Sequence, residues 1–284
     1  MTETSESKKK NSLVQRIITG VSLALIIAIM LYVGGWLFCL IVGFCLIRSV
    51  YEELHVLRRS GHRPVWWISF AGLTASVPIL LHSTKNLTLP LITFFVICTL
   101  IEIMRREEPK LEDLYASLLP LITIVLPGMC MFSLLNTEPR GFQAYLLVLM
   151  FAIPVANDTF AFFIGSAVGG PKLCIVSPKK TISGAIGGLV VGTLVTVIAT
   201  WLFSMFVPNF THFPALWASA LFGIVCSVAS QLGDLFASLV KRYSGVKDFS
   251  EIFPGHGGML DRLDSILFSA VLVYCLRELI MALM

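Results

Sequence analysis

The chain alternates between long runs without a single Asp, Glu, Lys or Arg and short polar segments rich in basic residues. The uncharged runs cover residues 17–47, 64–84, 114–137, 142–157 and 181–233. A helix needs about 20 mostly apolar residues to cross the hydrocarbon core of a bilayer, so the last run holds two crossings. They fold back at the proline-bearing segment VPNFTHFP. Backbone N–H and C=O groups find no water in lipid and must pair within their own segment, so the crossings are helices. Hydropathy and turn signals predict nine spans, near residues 14–32, 35–51, 64–82, 87–104, 114–135, 142–164, 182–207, 214–240 and 263–283. The first apolar run is longer than the roughly 7–15 residues of a signal-peptide core. It is read as a retained span behind a polar, disordered tail of residues 1–13.

Composition narrows the class. Charged residues make up 13% of the 284, against about 25% in soluble domains, and the mean hydropathy is +0.86. If the N-terminus is cytoplasmic, all 21 Lys and Arg except Lys85, Arg140 and Arg277 fall on the cytoplasmic side, which is the positive-inside pattern. The expectation is an all-α polytopic membrane protein of about nine transmembrane helices, N-terminus cytoplasmic and C-terminus outside. The net charge of +4 is this topological bias. No basic stripe interleaved with aromatics points to nucleic acid, and membrane lipids with anionic headgroups are sufficient partners. The seven cysteines lack CxxC spacing and six lie in apolar runs, which argues against a disulfide framework or a zinc site.

Polar residues inside apolar runs carry the candidate chemistry. In the eighth span Ser227, Ser230, Gln231, Asp234, Ser238 and Lys241 recur at steps of three or four, one face of a helix. A carboxylate such as Asp234 is costly in lipid and should face a cavity or an ion. The alternative is a structural hydrogen bond between helices. Asp158 in the sixth span poses the same question, with Asn157 and Asp158 as helix-end residues the competing account. Asp261 and Asp264, three apart at the start of the ninth span, follow Gly257 and Gly258. Either alone reads as a cap on a helix dipole. Together with Asp234, and with Lys241, Arg242, Lys247 and His256 around them, they read as a Mg²⁺ site beside a polyphosphate. Glycine backbone and a helix start both admit phosphate closely. The segment GGPKLCIVSPKKTISG adds Lys172, Lys179 and Lys180 among glycines, though a basic loop can be purely topological.

These residues resemble the signature of the phosphatidate cytidylyltransferase, or CDP-diacylglycerol synthase, family. Ser238, Lys241, Arg242, Lys247, Asp248, Pro254, Gly255, His256, Gly257, Gly258, Asp261, Arg262, Asp264 and Ser265 stand at the signature's spacings. Leu232-Gly233-Asp234 resembles its Leu-Gly-Asp element. Ser177-Pro178-Lys179-Lys180-Thr181 with Gly184 resembles its Ser-Pro-x-Lys-Thr-x-x-Gly element. ANDTFAFFIG resembles its Ala-Asp-Ser/Thr segment, with Asn157 where a small residue is usual. The resemblance covers roughly residues 150–284, and the N-terminal half matches only as generic spans.

The resemblance implies transfer of a cytidylyl group from CTP to phosphatidic acid, giving CDP-diacylglycerol and pyrophosphate with Mg²⁺. It implies residues 14–140 as N-terminal transmembrane helices and residues 141–284 as the catalytic region with cytoplasmic loops. Asp234, Asp261 and Asp264 are then metal ligands, and with Lys241 the catalytic set. Lys180, Arg242 and Lys247 are phosphate contacts, and Ser177, Ser238, His256, Gly257, Gly258 and Arg262 complete the substrate site. His256 serves equally as a structural member of the glycine turn. A second, monovalent cation and a homodimer are compatible with the family. The membrane implied is a bacterial cytoplasmic one with the active site facing the cytoplasm. The attacking phosphate is already an anion near neutral pH, so positioning and charge neutralisation can replace a strong general base. Two rivals were weighed. A transporter would use Asp158 and Asp234 as ion sites but should show an internal repeat, which the chain lacks, and a CDP-alcohol phosphotransferase should show an Asp-Gly-x-x-Ala-Arg run, which is absent.

Overall fold

The computed structural model describes residue 22 and residues 25–82, 87–207, 213–253 and 257–283. The expected tail, most of the first expected span, the middle of VPNFTHFP, and Pro254, Gly255 and His256 lie outside the described residues. Residues 25–33 are helical (α1) and stop at Gly34, whose φ of 62° suits only glycine. There follow α2 (Gly35–Arg59), α3 (Trp66–His82), α4 (Thr88–Met104), α5 (Leu111–Pro120), a π turn (Leu121–Val125), α6 (Leu126–Leu134), α7 (Arg140–Val168), α8 (Ile182–Phe206), α9 (Leu216–Tyr243) and α10 (Leu260–Leu283). No strand occurs among the described residues. Single bridges pair Lys172 with Thr181 and Phe253 with Gly257.

Among the described residues, five helices are long and apolar enough to cross a membrane: α5 and α6 taken together with the π turn, α7, α8, α9 and α10. α3 and α4, at 17 residues each, are shorter apolar helices. Each expected span from the second onward has a helix at its place. The largest departure is α2, which continues to Arg59 instead of ending near residue 51. Leu46, Val50, Leu54 and Leu57 keep the helical spacing, and all are buried. Glu52 and Glu53, which the sequence reading left in a cytoplasmic loop, are therefore inside the bundle, 2% and 1% exposed.

The core sits where α2, α5, α6, the first half of α7 and α10 meet. Phe38, Leu46, Ile124, Phe132, Tyr145 and Ala270 are fully buried there. The π turn falls between Pro120 and Pro127. A proline has no N–H for the helical ladder, and the widened turn absorbs the missing bond. It presents Thr123, whose hydroxyl donates to Glu53 Oε2 at 2.9 Å.

α8 docks on α7 through small residues. A Cβ at Gly184 would lie 2.5 Å from the Ala161 carbonyl oxygen, and one at Gly188 would lie 2.6 Å from that of Asn157. Small residues four apart let two membrane helices bring their backbones together. The opposite face of α8, with Ile186, Val190 and Leu194, is exposed apolar surface suited to lipid. Gly233 on α9 admits the backbone of α10 in the same way, with the Asp264 carbonyl oxygen 2.5 Å from where a Cβ would stand.

Candidate active site

The polar residues gather at the end of the bundle where α7 and α9 finish and α8 and α10 begin. Between α7 and α8 the chain makes a tight return over residues 169–181. Leu173 N donates to Lys180 O, and Lys180 N donates to Ser177 O, at 2.9 and 3.1 Å. Thr181 caps α8 by accepting from Gly184 N at 3.2 Å. This hairpin-like loop returns Lys180 to the bundle, where its ammonium pairs with Asp234 Oδ2 on α9. Ser177 thus contributes its backbone carbonyl to the turn.

Two cavities open here. The first, about 350 Å³, lies between α7, α8, α9 and this loop, and includes Asp158, Lys179, Lys180, Gln231 and Asp234 in its wall. The second, about 420 Å³, lies between α1, α2, α7 and α10. Its wall is apolar, with Met30, Val42 and Phe151, and its floor is polar, with Asp261, Arg262, Asp264 and Ser265. Asp158 lines both cavities. Ser265 Oγ donates to its Oδ2 at 2.8 Å, so a hydrogen bond from α10 to α7 holds the residue that both cavities share.

Asn157 and Asp158 are not helix-end residues, because α7 runs on to Val168. Asn157 is fully buried and accepts from Gln231 Nε2 at 2.9 Å, while the same amide donates to Ala185 O at 2.8 Å. One glutamine on α9 therefore ties α7 to α8 directly beneath the first cavity.

The three expected metal carboxylates are placed differently from one another. Asp234 faces the first cavity with Lys180. Asp264 is 8% exposed, accepts from Ser265 N at 2.8 Å and faces the second cavity. Asp261 turns toward the loop before α10 and accepts three bonds: from Lys241 Nζ at 2.6 Å, Phe249 N at 3.0 Å and Gly258 N at 2.8 Å. Three residues along a helix is about 60° short of a full turn; both Asp261 and Asp264 border the second cavity, and Asp261 is in addition bonded to the loop. Among the described residues, no three His, Cys, Asp or Glu converge to hold one ion. Asp261 is thus engaged with Lys241 and two loop amides, while Asp234 is paired with Lys180.

Lys241 is 8% exposed and also lies over the Phe249 ring, 5.4 Å from its centroid. Ser238, one turn earlier on α9, is buried. Arg242 points out and donates to Val246 O at 3.4 Å, and Lys247 is exposed. Arg262 opens onto the second cavity. The glycine pair is explained by carboxylates. Gly257 has φ 78°, and a Cβ there would lie 2.8 Å from Asp261 Oδ2. A Cβ on Gly258 would lie 2.5 Å from Glu52 Oε2.

Glu52, Glu53 and the interhelix role of Asn157 escaped the sequence reading. The two glutamates were legible in principle, because the apolar spacing of α2 continues past them. The sequence model of the cytidylyltransferase family matches residues 14–280. The chain belongs to the cytidylyltransferase family. It is 31% identical over 275 residues to the phosphatidate cytidylyltransferase of Brucella suis, covering 93% of each chain. It is 30% identical to that of Synechocystis, covering 92% of this chain and 94% of the relative. Against the chloroplastic phosphatidate cytidylyltransferase 5 of Arabidopsis thaliana it is 28% identical, covering 95% of this chain and 73% of the relative. The cytidylyltransferase match extends well into the N-terminal half, where the motifs had shown only generic spans, and membership displaces the transporter and phosphotransferase readings.

Proposed function

We propose that this cytidylyltransferase joins the cytidylyl group of CTP to phosphatidic acid, releasing pyrophosphate and leaving CDP-diacylglycerol in the membrane. The observation that carries the reading is the pair of cavities that share Asp158, one with Lys179 and Lys180 in its wall and the other with Arg262. The first offers Lys179 and Lys180 to a water-soluble polyphosphate. The second offers an apolar wall to acyl chains and Arg262 to a lipid phosphate. A phosphatidate oxygen attacks the α-phosphorus of CTP, the bond from that phosphorus to the bridging oxygen breaks, and pyrophosphate leaves with the electron pair. The nucleophile is already anionic, so the protein's task is to bring two polyanions together and offset their charge.

The available donors near the junction of the cavities are carboxylate and hydroxyl oxygens, the hard set that suits Mg²⁺. That ion commonly takes one or two carboxylates and completes its shell with substrate phosphates and water. We assign it to Asp234 and Asp264, with Asp158 adjacent. When bound it would supply neutralisation of phosphate charge. Asp261, expected as a third ligand, would first have to release Lys241.

We place this end of the bundle on the cytoplasmic side of a bacterial cytoplasmic membrane, with nine spans. The support is the basic bias of the loops that end there and the need for a water-soluble nucleotide to reach the site. Purified protein in detergent, given CTP, Mg²⁺ and phosphatidic acid, should release pyrophosphate only when the lipid is present. Release that ignores the lipid, or none at all, would refute the reading.

A further inference from the structure

We infer that Glu52, on the N-terminal helix α2, is a positioning residue that sets the register of the signature loop and of α10. Its carboxylate is 2% exposed, and burying a charge is costly unless donors replace water. Three do. Oε1 accepts from Ser250 Oγ at 2.6 Å and from Met259 N at 3.1 Å, and Oε2 accepts from Leu260 N at 2.9 Å. Arg48, one turn back on α2, lies 3.6 Å from Oε1 and offsets the charge. Met259 and Leu260 open α10, where amide groups lack a partner within the helix and favour a negative charge. A side chain from a different helix therefore fills the place usually taken by a local cap.

The bonds of Glu52 interleave with those of Asp261. Asp261 holds Phe249 N and Gly258 N. Glu52 holds the next group along each time, Ser250 Oγ and then Met259 N and Leu260 N. The two carboxylates close both ends of the loop like adjacent stitches, and Gly258 has no side chain because Glu52 occupies that space. Asp261, Arg262 and Asp264 all stand on the first turns of α10. Their placement against Lys241 and Asp158 thus depends on α2. Lys179 and Lys180 belong to another loop and are not held by Glu52.

This separation defines the test, whose kinetic arm rests on the proposed cytidylyl transfer. Glu52→Gln keeps the shape but turns an amide toward groups that all donate. We expect kcat per folded molecule to fall about tenfold to a hundredfold, as for a catalytic group displaced by about an ångström. KM for CTP should change less than about threefold. Hydrogen exchange in detergent should accelerate at the amides of Phe249, Met259 and Leu260 while α8 stays protected. Gly258→Ala, which presses on Glu52 from the other side, and Ser250→Ala, which removes one donor, should show the same pattern more weakly. Those two variants decide the matter if Glu52→Gln does not fold. Wild-type kcat in the folded variants, or a loss of kcat with wild-type exchange over residues 249–260, would overturn the inference. If the unaltered chain shows no lipid-dependent pyrophosphate release, the functional reading fails by itself, and the exchange measurement still decides whether Glu52 holds the loop.

Discussion

Lys241 and Asp261 form a charged contact of 2.6 Å in the signature region. Their side chains are 11% and 4% exposed, so solvent screens the pair far less than the exposed pairs that contribute about 0–1 kcal/mol. Breaking a fully buried pair by removing one partner costs about 3–5 kcal/mol. The pair should fall short of that limit, because Asp261 keeps two backbone donors when the lysine is lost. A charge-assisted hydrogen bond, about 1.5–3 kcal/mol, is the appropriate scale. Asp261→Asn should be worse than Lys241→Met, since it disturbs three bonds and not one. The measurement is a double-mutant cycle on kcat/KM for CTP, with thermal melting in detergent run beside it. At about 1.36 kcal/mol per tenfold, a coupling of that size makes the double variant about tenfold to 150-fold more active than the product of the single losses predicts. Additive losses, or a Lys241→Met enzyme more damaged than Asp261→Asn, would show that Lys241 acts on substrate without Asp261 as its holder.

Three further outcomes are expected. Asp264→Asn should abolish pyrophosphate release and leave a folded, membrane-inserted protein, because it removes charge from the second cavity's floor and no apolar packing; near-normal turnover at saturating Mg²⁺ would return Asp264 to a structural role. Single cysteines placed at Lys179 and at Lys247 in a cysteine-free background should react with an impermeant maleimide only from the cytoplasmic side, and labelling from outside in sealed cells would reverse the topology. Gly188→Leu should prevent α7 and α8 from docking, since even a Cβ would sit 2.6 Å from the Asn157 carbonyl oxygen. We expect a cost of about 1–3 kcal/mol or more, read as loss of a monodisperse peak in detergent gel filtration, and a wild-type profile would sink the close-packing account.

The helices were legible because lipid leaves the chain few options. Runs without charge marked their positions from the second span onward, and prolines or glycines marked several ends. What failed was the assumption that charge ends a span. At Glu52 and Glu53 the helix goes on, because the carboxylates meet donors from α10, its preceding loop and Thr123. Those partners lie roughly 70 and 200 residues away in sequence, by the separations of their hydrogen bonds. Periodicity can report that a helix continues. It cannot report which distant amide will meet a buried acid.

The site was legible as a set of residues and less so as an arrangement. Spacing placed Asp234, Ser238 and Lys241 on one face of α9. The structure gives each of the three a separate task, with Asp234 paired to Lys180, Ser238 buried, and Lys241 held by Asp261. Asp261 and Asp264 look equivalent in sequence. They diverge in their partners: Asp261 stands within reach of the amides of a tight loop, while Asp264, nearly one turn deeper, passes Gly233, and both border the second cavity. The glycines show the same limit. Gly257 and Gly258 read as backbone that admits phosphate, and a Cβ on either would in addition meet the carboxylate of Asp261 or Glu52. A glycine motif states that something comes close to the backbone. Which group comes close is decided by the helix packed against it, here α2 from the half of the chain whose sequence had shown no motif.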